Sequence, residues 1–301
     1  MPRNVTIATC SVDCRGFGEM PDDFLLAQSL QMVDEAGTKG ADIVCLPEFA
    51  ACERHEGRFV PQPIPGEATD SFARLAKKHN MYVIAPLQET VDDQWCYNTA
   101  ALLDRSGVVV GTYRKTHVCL PDHCEGENTL PGDDVPVFGI DIGRVAITTC
   151  MDIHYPELYA VMALKGAEII FWPTACFDYT GDLIESLVNA RAIDTQSFFV
   201  TSHYAELPFL AGKTMGRSRI VDPMGRTRAD TSHFPGIAIA TVDLDQTYPM
   251  WYTGAMLKEY PTMRAVFQKT RRPELYGPLV DRGDMEASAE RVDAENRSND
   301  L

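Results

Sequence analysis

Long apolar runs are missing from this sequence, and none approaches the ~20 residues that a helix needs to cross a bilayer. Positive charge is scarce as well: 27 lysines and arginines stand against 43 acidic residues, for a formal charge of −16. An acidic surface repels phosphate backbones and anionic lipid, so neither nucleic acid nor a membrane surface is an expected partner. Signal-peptide organisation is absent, because Met1-Pro-Arg-Asn-Val-Thr-Ile7 runs straight into an apolar strand pattern. These features point to a soluble, cytoplasmic chain. There is no repeat at solenoid spacing and no composition break that forces two domains.

Regularly spaced metal-ligand pairs are also lacking. His117-Val-Cys119 and His123-Cys124 lie close together, yet no second pair matches them, so no metal is expected. Cys10 and Cys14 are one residue too far apart for a redox motif. The nine cysteines are odd in number and several sit inside apolar runs, as in Ile43-Val-Cys-Leu46. That pattern reads as reduced thiols acting as small hydrophobic residues, with at most one or two chemically special.

What is present is a 301-residue chain, 45% hydrophobic, enough for one large core. Short Val-, Ile- and Phe-rich runs alternate with helical patterns. Strands are expected at 4–10, 42–46, 81–89, 98–104, 108–114, 145–149, 168–172 and 198–203, and helices at 22–38, 67–79, from Pro156, and at 182–195. Arg105-Ser-Gly107 is a hairpin signal between two of these strands. The segments 217–222 and 237–243, separated by Pro223-Met-Gly225, read as a second antiparallel pair. Helix–strand alternation mixed with hairpins indicates an α/β protein with a mixed sheet. Residues 281–301 hold seven acidic and three basic residues with few large apolar side chains, which reads as a disordered or partner-binding tail.

The informative positions are those where reactive groups interrupt apolar runs. Glu48 ends Ala41-Asp-Ile-Val-Cys-Leu-Pro, Lys115 ends Val108-Val-Val-Gly-Thr-Tyr-Arg, and Cys150 ends Val145-Ala-Ile-Thr-Thr. Sites in open α/β sheets form outside the carboxyl ends of strands, where these three can meet. Their chemistry is complementary. Glu48 can deprotonate the Cys150 thiol, and the start of the helix near Pro156 adds a positive dipole end. Lys115 and a backbone N–H, that of Met151, can stabilise the oxyanion formed when sulfur attacks an amide carbonyl. Glu48 can then protonate the leaving amine and activate water. Taken singly, each residue has a plainer reading: a capping carboxylate, a solvated surface charge, a core thiol.

Leu46-Pro-Glu-Phe49, Tyr113-Arg-Lys-Thr-His117 and Cys150-Met-Asp-Ile-His-Tyr-Pro-Glu157 resemble the three catalytic boxes of the nitrilase superfamily of carbon–nitrogen hydrolases. Further blocks are similar in the same order: Ala163–Phe171, Asn189–Ile193, Gly216–Gly225 and Arg271–Tyr276. The resemblance covers roughly residues 4–276. It implies a hydrolase domain over 1–276, followed by the polar tail 277–301. It also implies a four-layer α-β-β-α sandwich, a Glu48–Lys115–Cys150 triad, no metal and no organic cofactor, and a homodimer or larger homo-oligomer built through outer helices. Many members carry a second glutamate a few residues before a Pro-Gly. Glu125-Gly-Glu127 precedes Pro131-Gly132 and offers two candidates, Glu125 having the commoner spacing.

Nitrile-hydrolysing members typically show Cys-Trp-Glu where this chain has Cys150-Met-Asp152, so a carboxamide or N-carbamoyl amine is the expected small-molecule substrate. D-amino-acid carbamoylases carry two arginines where this chain has Ile153 and His154. His154 reads either as a substrate-binding side chain or as a hydrogen-bonded wall residue. Two rival readings keep the same fold: a non-catalytic oligomeric scaffold, and an acyltransferase that passes the acyl group to an amine.

Overall fold

The computed structural model describes residues 2–17, 20–56, 58–119, 128–175, 181–205, 216–246 and 262–280. The chain divides into two compact units, Met1–Tyr248 and Pro249–Leu301. In chain order the first unit opens with β1 (Asn4–Asp13), α1 (Phe24–Thr38) and β2 (Ile43–Cys45). A small hairpin, β3 (Glu53–His55) and β4 (Arg58–Val60), leads to α2 (Glu67–His79), β5 (Tyr82–Thr90), β6 (Cys96–Leu103) and β7 (Val109–Arg114). It continues through β8 (Thr129–Leu130), β9 (Val137–Ile140), β10 (Gly143–Ile147), α3 (Pro156–Leu164), β11 (Ile169–Pro173), α4 (Gly181–Thr195) and β12 (Phe198–Ala205). The unit closes with β13 (Arg219–Val221), β14 (Thr227–Asp230) and β15 (Gly236–Asp243). The second unit contains α5 (Met263–Thr270). No described helix is long and apolar enough to cross a membrane.

The strands form two sheets. One runs β7-β6-β5-β2-β1, with β15 antiparallel along β1, and the other runs β9-β10-β11-β12, with β13 and β14 beyond β12. They join at one seam, where Ser11–Asp13 of β1 pairs in parallel with His203–Ala205 of β12.

Period-two alternation decides the layering. On β2, Ile43 and Cys45 point into a core between the sheets, while Val44 points the other way, against α1 and α2. On β11, Ile169 and Phe171 join the same central core, and Ile170 and Trp172 pack against α3 and α4. Strands buried on both faces read as continuous apolar runs, which is how they read in the sequence. The result is the expected four layers: α1/α2, sheet, sheet, α3/α4. Proline at the first position starts α3, and Asn80 in the left-handed region (φ 52°) ends α2.

The 105–107 hairpin forms as expected. Asp104 accepts from the backbone N–H of Ser106 and Val108 at 2.8 and 2.9 Å, and Gly107 takes a φ of 86°. The second expected pair is corrected. β13 pairs with β14 around Pro223–Gly225, because Asp222 caps the Met224 and Arg226 N–H groups and closes a tight turn there. β15 instead lies along β1, with Gly236–Asp243 in register against Ser11–Asn4. Residues 281–301 of the expected tail lie outside the described residues.

The β6–β7 hairpin carries Lys115 at its end, so its turn matters to the site. A Cβ on Gly107 would sit 2.7 Å from the Ala73 carbonyl oxygen, in a backbone conformation that side chains resist. Gly107→Ala is expected to lower unfolding free energy by about 1–3 kcal/mol, read as a reduced urea midpoint with unchanged slope.

Candidate active site

Glu48, Lys115 and Cys150 each lie just beyond the carboxyl end of a strand: β2, β7 and β10 respectively. Glu48 is fully buried, and its acceptors are filled from four directions. One carboxylate oxygen accepts from Asn98 Nδ2 at 2.8 Å and from Lys115 Nζ at 3.1 Å; the other accepts from the Ala175 N–H at 2.8 Å. The Glu48 carbonyl accepts from the Tyr204 hydroxyl at 2.6 Å. These donors come from β6, β12 and the segments after β7 and β11, so both sheets contribute.

Lys115 is equally buried. Its backbone N–H donates to the Asn98 carbonyl at 2.9 Å, and its carbonyl accepts from Gly132 at 2.8 Å. Nζ also lies 3.7 Å from Cys119 Sγ. Burial by itself lowers the ammonium pKa, but the charges of Glu48, Cys150 and Cys119 and the Glu48 hydrogen bond outweigh it, and the net direction is upward. Lys115 therefore stays a cation. Cys150 being among these charges, its thiol is tied electrostatically to Lys115.

Cys150 is 6% exposed and begins a tight 3-10 turn, Cys150–His154. Its φ of 45° is a left-handed conformation uncommon for a side-chain-bearing residue and of the kind that collects at functional sites. Trp172 Nε1 donates to its carbonyl at 2.9 Å and holds the turn against β11. The expected helix begins at Pro156, and the 3-10 turn that starts at Cys150 itself lies between the thiol and that helix.

Met151 follows Cys150 in the same turn and is half-buried. His154 is exposed at the turn's far end. Partial burial and then the charge of Arg191 lower its pKa, and among the described residues no hydrogen bond joins it to Glu48, Lys115 or Cys150. Glu125, Glu127, His123 and Cys124 lie outside the described residues, and among those described no cluster of ligands is arranged for a metal ion.

Several contributors were not singled out in the sequence. Asn98 had a signal, a polar residue at the head of the apolar run Asn98-Thr-Ala-Ala-Leu-Leu103. Asp152 and His117 lay inside the motif boxes without an evident partner. Ala175 contributes only a backbone N–H and Tyr204 only a distant hydroxyl, for which no local pattern exists.

Removing the cation while leaving the carboxylate buried is costly. Lys115→Met is expected to destabilise the fold by about 3–5 kcal/mol in urea unfolding, and Glu48→Gln in the same chain to restore part of that loss. Because the folded-state lysine pKa is raised, its contribution is full below the ordinary lysine value. The gap between wild type and Lys115→Met should stay constant from pH 7 to about 10 and shrink above it.

Comparison with known proteins identifies the family. Residues 22–252 match the family model described as Carbon-nitrogen hydrolase. A deaminated glutathione amidase of Homo sapiens is 34% identical over 266 residues, covering 83% of this chain and 78% of that protein. An omega-amidase of Xenopus tropicalis is 29% identical over 261 residues, covering 83% and 90%. The crystal structure of an amidase from Nesterenkonia sp. superposes with a TM-score of 0.71 at 20% identity, covering 92% of this chain and 96% of the other. With most of its length matched by the family model and by these relatives, the chain belongs to the carbon–nitrogen hydrolases of the nitrilase superfamily.

Proposed function

We propose that this chain is an amidase that hydrolyses a small carboxamide through a thioester on Cys150. The observation that carries the reading is the fully buried Glu48–Lys115 ion pair coupled to a thiol on a strained turn. Glu48 takes the Cys150 proton, and the thiolate attacks the carbonyl carbon. The oxyanion is met by the Lys115 ammonium and the Met151 N–H. Collapse of the tetrahedral species breaks the C–N bond while Glu48 returns its proton to nitrogen, releasing ammonia. Glu48 then deprotonates a water that attacks the thioester, giving the carboxylic acid and restoring the thiol. Glu125, or Glu127 in its place, is the second carboxylate that steadies Lys115 and the substrate.

Ile153 and His154 stand where D-amino-acid carbamoylases carry arginines, which disfavours an N-carbamoyl amino acid, and the relatives above are named amidases, which favours a carboxamide. His154 is the candidate for contact with a polar part of the substrate. The enzyme is taken to be cytoplasmic and homo-oligomeric. Exposed apolar side chains on the outer helices, Val161 and Leu164 of α3 and Leu183 and Ile193 of α4, support association through that face.

The test is ammonia release from a panel of carboxamides, N-carbamoyl amines, N-carbamoyl amino acids and nitriles. Release from carboxamides is expected to fall by at least about 1,000-fold in Cys150→Ala and Cys150→Ser, with the fold intact by circular dichroism. Glu48→Gln is expected to slow iodoacetamide labelling of Cys150 across pH. Substantial activity in Cys150→Ala would overturn the mechanism. Silence across the panel with an unreactive Cys150 would support the scaffold reading, and silence with a reactive one would support an acyl acceptor other than water.

A further inference from the structure

Lys115 and Cys150 sit on strands that do not pair. β7 is at the edge of one sheet and β10 lies inside the other, so no strand ladder between them fixes where the ammonium sits relative to the sulfur. One side chain bridges the gap. Asp152, two residues beyond Cys150, is fully buried and accepts five hydrogen bonds. Its Oδ2 accepts from the Thr149 N–H at 2.8 Å and the Tyr113 hydroxyl at 2.6 Å. Its Oδ1 accepts from His117 Nδ1 at 2.8 Å, Thr116 Oγ1 at 3.1 Å and the His117 backbone N–H at 3.2 Å.

Thr149 directly precedes the thiol, and Tyr113, Thr116 and His117 flank Lys115 on both sides. One carboxylate therefore joins the two halves of the site. An ionised carboxylate only accepts, so the proton of the neutral imidazole is on Nδ1. The His117 ring, about one-third exposed, stacks flat on Tyr155, with centroids 3.6 Å apart and planes 10° from parallel. Tyr155 closes the nucleophile turn, so His117 grips that turn from outside while Asp152 grips it from within. The Tyr113 hydroxyl is kept protonated, its pKa pushed well up by burial and by the Asp152 charge, and so remains a donor.

We propose that Asp152 and His117 form a positioning pair that sets the distance and angle between the Cys150 sulfur and the Lys115 ammonium, governing turnover without touching the substrate. This rests on the reading of Cys150 as nucleophile and Lys115 as oxyanion cation. Fold stability alone is a weaker account of the network. A buried charge given five donors is an expensive way to join two loops, whereas a reacting pair misplaced by 1 Å loses about 100-fold in rate.

The test compares Asp152→Asn, His117→Asn and His117→Leu with wild type. Turnover is counted per site titrated by stoichiometric alkylation, alongside KM, Tm and the pH profile of Cys150 alkylation. Asp152→Asn turns one acceptor into a donor facing other donors. It is expected to lower kcat about 100-fold, with KM within about 3-fold, and to move the alkylation profile. His117→Asn keeps an N–H donor near the Nδ1 position but loses the ring on Tyr155, so it should lose less in kcat than His117→Leu, which loses about 10-fold at unchanged KM. A lower Tm with unchanged kcat per titrated site in all three variants would overturn the proposal, as would equal losses in both His117 variants. The two readings fail separately. No ammonia release by wild type would sink the hydrolase reading, while the alkylation profiles would still decide the positioning pair. Identical profiles in wild type and Asp152→Asn would sink the pair alone.

Discussion

Taking the carboxylate of Glu48 and the ammonium of Lys115 out of water costs several kcal/mol per ion, and their attraction offsets this only when the geometry is held and the remaining lone pairs are filled. The 3.1 Å contact between them is therefore a constraint on the rest of the molecule. Asn98, the Ala175 N–H and the Tyr204 hydroxyl must all arrive at Glu48, and they come from both sheets. The sandwich is what allows that convergence. Strand ends from two sheets open at one place, and the seam between β1 and β12 sits beside it.

That constraint explains why the candidate site is rigid where it is charged, beside a left-handed backbone at Cys150. Lys115 is pinned through its backbone as well as its Nζ. Cys150 is held in a left-handed conformation by a turn that Trp172 clasps at the carbonyl and Asp152 clasps at Thr149. The neighbouring carboxylate holds Lys115 as a cation against the opposing effect of burial, and a water-poor interior strengthens each electrostatic contact made with developing charge. The same burial pushes the other core thiols upward: Cys45 and Cys52 are raised to about 12, so they behave as inert apolar filling.

The described fold was legible where signals are local. The strands on either side of Gly107, the proline that starts α3 and the apolar runs at β2, β10 and β11 were all readable, because propensity and period act over a few residues. The pairing of β15 with β1 was not. Its alternation fits either neighbour, and the choice was made by the Asp222 turn, which committed β13 to β14.

The sequence by itself marked Glu48, Lys115 and Cys150 as the candidates, since they interrupt apolar runs at strand ends and sit in boxes that resemble those of a family. It also indicated an α/β fold with a mixed sheet through its helix–strand alternation, the four layers being what the family resemblance implied. Only the tertiary structure decided what surrounds those residues: which amide, backbone N–H and hydroxyl hold Glu48, and which carboxylate ties the lysine strand to the nucleophile turn. The physical reason is separation along the chain. Hydrophobic period is set within a few neighbours, whereas the donors of a buried carboxylate come from wherever the chain returns, here from as far as 127 residues away.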